Sequence, residues 1–596
     1  MKRNLLTIGF SLLFGICSFS QIALSKKDFS GPTKVQTNIN KFSKSVPTHF
    51  IPAPNMQDIQ AEDVIRDKKG MLYRIGVASY TNLSESNSGV WNTLDNGDKV
   101  WQLGIKNPGA EALSFIFNDF KLSPGSSFWV QNKQGDKVSK VLTEKDQLED
   151  FQQHIALCFG DDLTLVLLDK SGQQSSKFIL NRVVYNYRST GNTNGPQKIN
   201  ESGSCNVNVN CTEGTNYQDE KNGIARILVT DGGSQGWCSG TLVNNTSQNC
   251  KPLFLTALHC GPTTVTADFN LWEFYFKYEA ATCTTPSSVG TLANNFITGC
   301  VKLASSNDNV SGNITKSDFL LVQLGTLANE STTITTLKSS AFGAYWNGWD
   351  ANNTAAPSGV GIHHPAGDLK KISTYTAALA STSYSGSTAN THWQANWVQT
   401  TTNYGITEGG SSGSPLFTYN NGSSRVVGTL SGGASSCTAT QGNKNDLYGK
   451  MSYHWTTYGT TSALSLKFHL DPNNTGAMVL DGSSNPCSAP AIPAANFSAD
   501  NTTPCIGTTV NFADLSSGVP TTWAWTFSPN TVTYTGGTSS SSQNPKVQFN
   551  AAGPYTVTLV ATNGLGNDSE IKTAYISPVS GSSLPFVENF EGATFP

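Results

Sequence analysis

Three short segments carry residues able to do covalent chemistry at a carbonyl. The first, "LFLTALHC", is an apolar run ending in His259-Cys260, so a strand delivers a histidine followed at once by a cysteine that can pin it. The second, "SDFLLVQL", sets Asp318 at the mouth of another apolar strand. Burying that carboxylate is costly unless a partner compensates. The third, "GSSGSPLF", runs from Gly410 to Phe417. Glycines around Ser412 permit a tight turn that presents the hydroxyl and aims N–H groups outward. In the order His, Asp, Ser these are the parts of an acyl-transfer site. A serine hydroxyl is a poor nucleophile at neutral pH, so a histidine must take its proton and a buried carboxylate must orient that histidine. The N–H groups of Gly410 and Ser412 would stabilise a tetrahedral oxyanion, at about 3–4 kcal/mol per donor. Asp268, Asp350 and Asp368 also lie between His259 and Ser412, but none precedes a continuous apolar strand as Asp318 does.

The elements that must position these groups are strands. The chain has 596 residues, of which 13% are charged and 10% aromatic, with a net charge of −3 and abundant Gly. Short apolar runs separated by Gly, Ser, Thr and Asn give the texture of a secreted, turn-rich, all-β protein. The length allows about three to five domains. The balanced charge argues against a nucleic-acid partner, which needs a basic face. Evenly spread aromatics argue against general disorder. No apolar run beyond the first 25 residues is long enough for a membrane span. Adjacent His363 and His364 point apart on an extended chain, so no metal site is expected there, and no cofactor is implied.

Lys2 and Arg3 followed by the apolar run Leu5 to Cys17 read as a secretory signal peptide over 1–20. Ile16 before Cys17 does not fit a lipoprotein site. Export makes disulfides available, and eight cysteines fall between 205 and 437: Cys205, Cys211, Cys238, Cys250, Cys260, Cys283, Cys300 and Cys437. That number fits four bridges, with connectivity open. Residues 21–198 hold strand-like pieces such as "KVWQLGIK" and "LTLVLLD", and read as a β-sandwich-like unit ending in the polar linker "RSTGNTNGPQKINESGSC". Residues 199–485 hold the three chemical segments and read as an all-β barrel arrangement. Residues 486–578 alternate with period two and read as a small β-sandwich. Residues 579–596 begin a further, incomplete segment, so the native chain is expected to continue.

The central segment resembles the chymotrypsin-fold serine proteases, whose motifs are TA[AG]HC, D[IF]xLLxL and G[DS]SG[GS]P. More closely it is similar to the bacterial lysyl endopeptidases, from about Ser202 to Gly482, through "SGSCNVNVNC", "CSGTLVNNT", "IHHPAGDLKKIS", "THWQANW", "GITEGGSSGSPLF" and "SSCTATQGNKNDLYGK". The resemblance implies a two-β-barrel protease with His259, Asp318 and Ser412 as triad. It implies bridges Cys205–Cys437, Cys211–Cys283 and Cys238–Cys260, leaving Cys250 and Cys300 to pair. Residues 21–198 resemble the propeptides of such enzymes. Residues 486–578 resemble a PKD domain, an Ig-like sandwich that would bind an extracellular polymer or glycan, or act as a spacer.

Protein or peptide substrates cleaved after Lys are the resulting expectation. Six residues before Ser412, where trypsin-like enzymes keep their specificity carboxylate, this chain has Ile406. The resemblance assigns the lysine-binding acid to Asp446; Glu408, close to Ser412 in sequence, is expected to support the pocket. Strict lysyl enzymes have a His where this chain has Ser431 and a Trp where it has Tyr384. Their His–Trp stacking is therefore expected to be absent, with a shift in rate or pH optimum rather than loss of Lys preference. Lys198–Ile199 is a candidate self-processing bond. Ser411 stands where trypsin-like zymogens have the Asp that pairs with the new N-terminal ammonium, so activation is expected to proceed without that ion pair, the propeptide blocking the cleft or assisting folding. The competing readings are a trypsin-like enzyme that accepts both Lys and Arg, and an inactive adhesin or matrix-binding protein.

Overall fold

The computed structural model describes residues 45–580 apart from 148–151, 171–175, 189–199, 288–294, 309–313, 385–387, 421–422, 460, 488–491, 519 and 564–565. The expected signal segment, Lys198–Ile199 and residues 581–596 therefore lie outside the described residues. Contacts divide the chain into two compact units, Met1–Pro486 and Cys487–Pro596.

The first unit begins with two packed sheets. Strands Lys99–Lys106, Asp162–Asp169 and Ser127–Gln131 form the centre of one sheet, and Tyr73–Ser84, Lys177–Asn186, Ala112–Lys121 and Gln153–Phe159 form the other. Their inner faces bury Trp101, Phe117, Phe120, Phe128 and Phe178, whose rings meet mostly edge to face. That geometry suits the aromatic quadrupole. One helix, Met56–Lys68, precedes them, capped by the Asn55 side chain on Gln57 N–H. It ends at Gly70, in the left-handed region at φ +63°, which glycine adopts without a Cβ penalty.

This unit does not stop at residue 198. Strand Tyr73–Ser84 pairs antiparallel with Ser234–Leu242, so the second of these sheets runs on into the segment that carries the candidate site. The approach is close: a Cβ on Gly236 would lie 2.5 Å from the Tyr73 carbonyl. Side chains add to it, with Arg182 on Asp268 (2.6 Å) and Ser114 Oγ on Gln235 (2.9 Å).

Beyond that seam, Ile224–Asp231, Ser234–Leu242, Leu253–Ala257, Phe319–Leu324, Cys300–Ser305 and Glu273–Phe276 make the first β layer of the central segment. Strands Lys371–Tyr375, Gly359–His363, Pro415–Asn420, Ser423–Gly433, Asn445–Lys450 and His392–Asn396 are the backbone of the second. A shared core joins the two layers, with Leu255, Phe319 and Leu321 from the first against Val360, Phe417 and Val426 from the second. The all-β expectation holds throughout this unit.

The second unit is a small sandwich. Phe497–Ala499, Thr509–Asp514, Lys546–Phe549 and Val532–Thr535 face Thr522–Ser528, Tyr555–Asn563 and Gly566–Ile576. Strict alternation in Tyr555–Asn563 turns Tyr555, Val557, Leu559 and Ala561 inward, onto Trp525, Phe512 and Phe549.

Candidate active site

Antiparallel pairing sets the first two chemical groups at one end of a sheet. Ala257 is opposite Phe319. His259, in the turn leaving one strand, and Asp318, entering the other, are thereby neighbours. Asp318 sits at φ +58°, a left-handed conformation that Asp tolerates better than most residues. The turn swings its carboxylate back onto His259. Oδ2 lies 2.6 Å from His259 Nδ1, and Oδ1 accepts the His259 N–H at 2.9 Å. Both residues are buried. This two-point contact selects the tautomer with its proton on Nδ1 and leaves Nε2, which makes no hydrogen bond among the described residues, able to act as a base. A second buried acid supports the pair. Asp308 Oδ2 accepts the Asp318 N–H at 3.0 Å, and Ser306 and Lys316 also donate to Asp308. Burial, then the neighbouring Asp318 charge, pushes the Asp308 carboxyl up.

Ser412 comes from the second layer, in the turn that enters Pro415–Asn420. Its carbonyl accepts from Ser239 N (2.8 Å) and lies 3.8 Å from Cys260 Sγ. Cys260 is bonded to Cys238, so that disulfide ties the His259 turn to the strand against which the Ser412 loop rests. Gly410 and Gly413 stand at φ +95° and +79°. A Cβ on Gly413 would come within 2.1 Å of Thr256 Oγ1. Among the described residues, neither Gly410 N–H nor Ser412 N–H is spent on a protein hydrogen bond.

Asp446 is buried on strand Asn445–Lys450. Its Oδ2 accepts from Trp397 Nε1 (2.6 Å), Thr407 Oγ1 (2.7 Å) and Ser435 Oγ (2.6 Å). Burial pushes this carboxyl up, against the pull of those donors. Gly433 leaves the space above it open, since a Cβ there would lie 2.1 Å from Oδ1. Sequence reasoning did not single out Trp397, Thr407 or Ser435, although all three lie within the quoted motifs "THWQANW", "GITEGGSSGSPLF" and "SSCTATQGNKNDLYGK". Glu408, expected beside the pocket, instead accepts the Gly203 N–H on both oxygens (3.1 Å each) and the Asn206 amide (3.3 Å).

Tyr384 nevertheless has an imidazole beside it, supplied from a position the sequence reading did not consider. His392, on the strand next to Asn445–Lys450, places its ring 5.5 Å from that of Tyr384, and its Nε2 lies 3.1 Å from Ser431 Oγ. Burial holds His392 down at about 4, so it is neutral across the physiological range. The "THWQANW" segment was read only as part of the resemblance; alternation along a strand placed His392 inward without announcing its role.

The expected bridges Cys205–Cys437, Cys211–Cys283 and Cys238–Cys260 are present. The expected Cys250–Cys300 pairing does not occur. Cys300 is free and buried, whereas Cys250 is disulfide-bonded. An even cysteine count within one segment could not reveal that Cys250 would look elsewhere.

Residues 70 and 73, from the N-terminal sheets, reach this site. A Cβ on Gly70 would lie 2.7 Å from Tyr384 Oη and 3.4 Å from the Ser431 carbonyl, and a Cβ on Gly409 would lie 2.3 Å from the Tyr73 ring. Both His363 and His364 are buried and held well below the usual range, chiefly by desolvation. His363 bonds Ser411 Oγ (2.8 Å) and Ser373 Oγ (3.0 Å). Among the described residues no cluster of His, Cys, Asp or Glu is arranged to hold a metal ion, and no helix is long and apolar enough to cross a membrane.

Two layers of β-strands thus bring together a serine loop, a buried His–Asp pair and a disulfide beside the histidine. Residues 199–449 match the family described as "Lysyl endopeptidase, C-terminal domain", and residues 494–576 match the PKD domain. The chain is 31% identical over 303 residues to a lysyl endopeptidase of Pseudomonas aeruginosa, covering 49% of this chain and 59% of that relative. The chain thus spans about three fifths of the curated relative it matches. Among solved structures it is similar to the protease Anisep from Arthrobacter nicotinovorans (17% identity, 41% of this chain, 93% of that one, TM-score 0.26). It is also similar to the PKD1 domain of Vibrio anguillarum Epp (24% identity, 15% and 100%, TM-score 0.12).

Proposed function

We propose that the chain is the precursor of a secreted serine endopeptidase that hydrolyses peptide bonds on the carboxyl side of Lys. In this reading residues 1–20 are the signal peptide, 21–198 the propeptide, 199–485 the protease and 486–578 the PKD domain, a binding or spacing module for extracellular polymer. The observation that carries it is the buried two-point contact between Asp318 and His259, within a segment similar to lysyl endopeptidases.

Ser412 Oγ attacks the scissile carbonyl carbon while His259 Nε2 takes its proton. The oxyanion accepts from the Gly410 and Ser412 N–H groups. The tetrahedral species collapses, the C–N bond breaks, and the leaving amine takes the proton back from the imidazolium. Water, deprotonated by His259, then hydrolyses the acyl-enzyme and frees Ser412. Asp318 keeps the ring oriented and stabilises its cationic form. Asp446 pairs with the substrate ammonium, while the Trp397, Thr407 and Ser435 donors offset part of the burial that raises its carboxyl. The nearness of Gly70 and Tyr73 to Ser431, Tyr384 and Gly409 supports a latent precursor whose rim is covered by its own prosegment.

The test is digestion of a denatured protein of known sequence by the processed enzyme, with cleaved bonds mapped by mass spectrometry and Ser412→Ala as control. Cuts after Lys alone, absent in the control, are expected. Cuts after Lys and Arg alike would refute the Lys assignment. No cuts from correctly folded, propeptide-free protein would refute the enzyme reading and favour a binding protein.

A further inference from the structure

The loop that carries the Gly410 and Ser412 amides rests on two buried or half-buried carboxylates that both reach to one short segment. Asp368, fully buried, accepts from Asn200 N (3.0 Å), Ser202 N (3.2 Å) and Ser202 Oγ (2.6 Å). Glu408 accepts from Gly203 N and the Asn206 side chain. Cys205, between these contacts, is bonded to Cys437. Residues 200–206 are thus the first described residues after the linker and are held at five points by the two acids.

Glu408 belongs to the oxyanion loop, and Asp368 reaches that loop through the turn it ends. Asp368 closes the turn 364–368. Ala366 N donates to the Gly409 carbonyl at 2.6 Å, and a Cβ on Gly410 would lie 2.8 Å from Gly367 N. Ser239 Oγ bridges the two, accepting from His364 N (3.0 Å) and donating to the Gly410 carbonyl (2.9 Å). Arg226 fixes the far side of the turn through the Gly367 carbonyl (2.8 Å). Glu408 begins the loop itself, and its carbonyl accepts from Ser411 N at 2.9 Å. Ser411 Oγ in turn meets the neutral His363.

We propose that residues 200–206 are a strut that orders the oxyanion loop, with Asp368 and Glu408 as positioning residues that read its amides. The inference rests on the serine endopeptidase reading above. It gives activation a physical route without an ion pair at residue 411: the loop's geometry depends on carboxylate-to-amide bonds, which do not require the α-ammonium created by processing. Charge-assisted bonds of this kind are about twice as strong as neutral ones.

The experiment compares processed wild type, Asp368→Asn, Glu408→Gln and Ser202→Ala, with hydrogen exchange of the 408–414 amides read alongside hydrolysis of a lysine ester. Loss of oxyanion order is expected to lower kcat about 10²-fold in the first two variants and several-fold in Ser202→Ala. KM should change little, and exchange of the loop should quicken while the core stays protected. Wild-type kcat/KM is expected to stay level through pH 8–10, where an α-ammonium titrates at about 8, and to survive a two-residue N-terminal extension. Unchanged kcat and loop exchange in both carboxylate variants would overturn the strut, as would activity lost with the extension. An inactive wild type would count against the parent reading only, because loop exchange in Asp368→Asn still decides the strut.

Discussion

Asp446→Asn separates recognition from chemistry. The side chain is 1% exposed, and one of its oxygens takes three side-chain donors within 2.7 Å. Asparagine can turn its oxygen to those donors, because the other position faces only the Ser435 N–H at 3.3 Å. The fold should therefore persist, at about 1–2 kcal/mol for that one imperfect contact. What disappears is the charge. Removing one partner from a buried ion pair costs about 3–5 kcal/mol, which at 1.36 kcal/mol per decade is about 10²–10⁴ in kcat/KM. The assay uses two chromogenic peptides that differ only in Lys or norleucine before the scissile bond. The Lys substrate should lose two to four decades and the norleucine substrate less than one, with the melting temperature nearly unchanged. Equal losses on both, or less than tenfold on Lys, would refute the assignment. Burial raises the Asp446 carboxyl, so competitive binding of n-butylamine should weaken as pH falls, beginning above the ordinary carboxylate range; the Asn variant should lack that limb.

His392→Ala should raise KM about five- to tenfold by freeing Tyr384 and Ser431, at roughly 1 kcal/mol for one neutral contact. Because His392 stays neutral above about 4, the wild-type and variant pH profiles should keep the same shape at higher pH, and a displaced acid limb near neutrality would contradict this. Cys300 should be unreactive toward a thiol reagent in native, non-reduced protein and react on denaturation; its absence from the unfolded-state count would restore the Cys250–Cys300 bridge. Lys370→Met should cost about 1.5–3 kcal/mol by taking from Glu279 one of its two ammonium partners, read as a lower denaturation midpoint, since Lys370 is fully buried and 2.9 Å from it while Lys221 stays at 2.8 Å. Burial alone would raise Glu279, but Lys370 and Lys221 hold it at about 2, below its ordinary 4.5; that stability is present above 4.5 and is lost as pH falls toward 2. The isolated prosegment should inhibit the processed enzyme, and Arg182→Ala should weaken inhibition at least tenfold by removing the Arg182–Asp268 pair, an unchanged inhibition constant being the contrary result.

The chemical groups were legible in the sequence because each sits where strand periodicity breaks: His259 after Leu253–Ala257, Asp318 before Phe319–Leu324, Ser412 in a glycine turn. Such breaks are local and survive translation into text. What the sequence hid was pairing between distant segments. Nothing in "MLYRIGVASY" says that it will lie against Ser234–Leu242, because an edge strand and its partner share only register, not composition. The helix Met56–Lys68 was hidden for a related reason: its face is mostly exposed and has little periodicity to read. His392 escaped because an inward histidine on a strand resembles any other buried polar residue, and its importance comes from Ser431 and Tyr384 on two other elements. Glu408 was placed correctly along the chain but not in space, since four residues from Ser412 a side chain can face either the pocket or the strut.

One physical consequence joins the seam and the strut. Residues 70–77 cover one side of the Ser412 loop by pairing with Ser234–Trp237, and residues 200–206 brace the other side through Asp368 and Glu408. Cutting the linker between them severs only the covalent connection. It removes none of the strand pairing, nor the Arg182–Asp268 contact, so under the proposed function the hold of residues 70–77 on the rim would outlast the cut, while residues 200–206 would keep their bonds to Asp368 and Glu408. Processing and unmasking are then separable events. The first depends on access to a linker bond, and the second on how fast a strand of the prosegment leaves an edge it helps to satisfy.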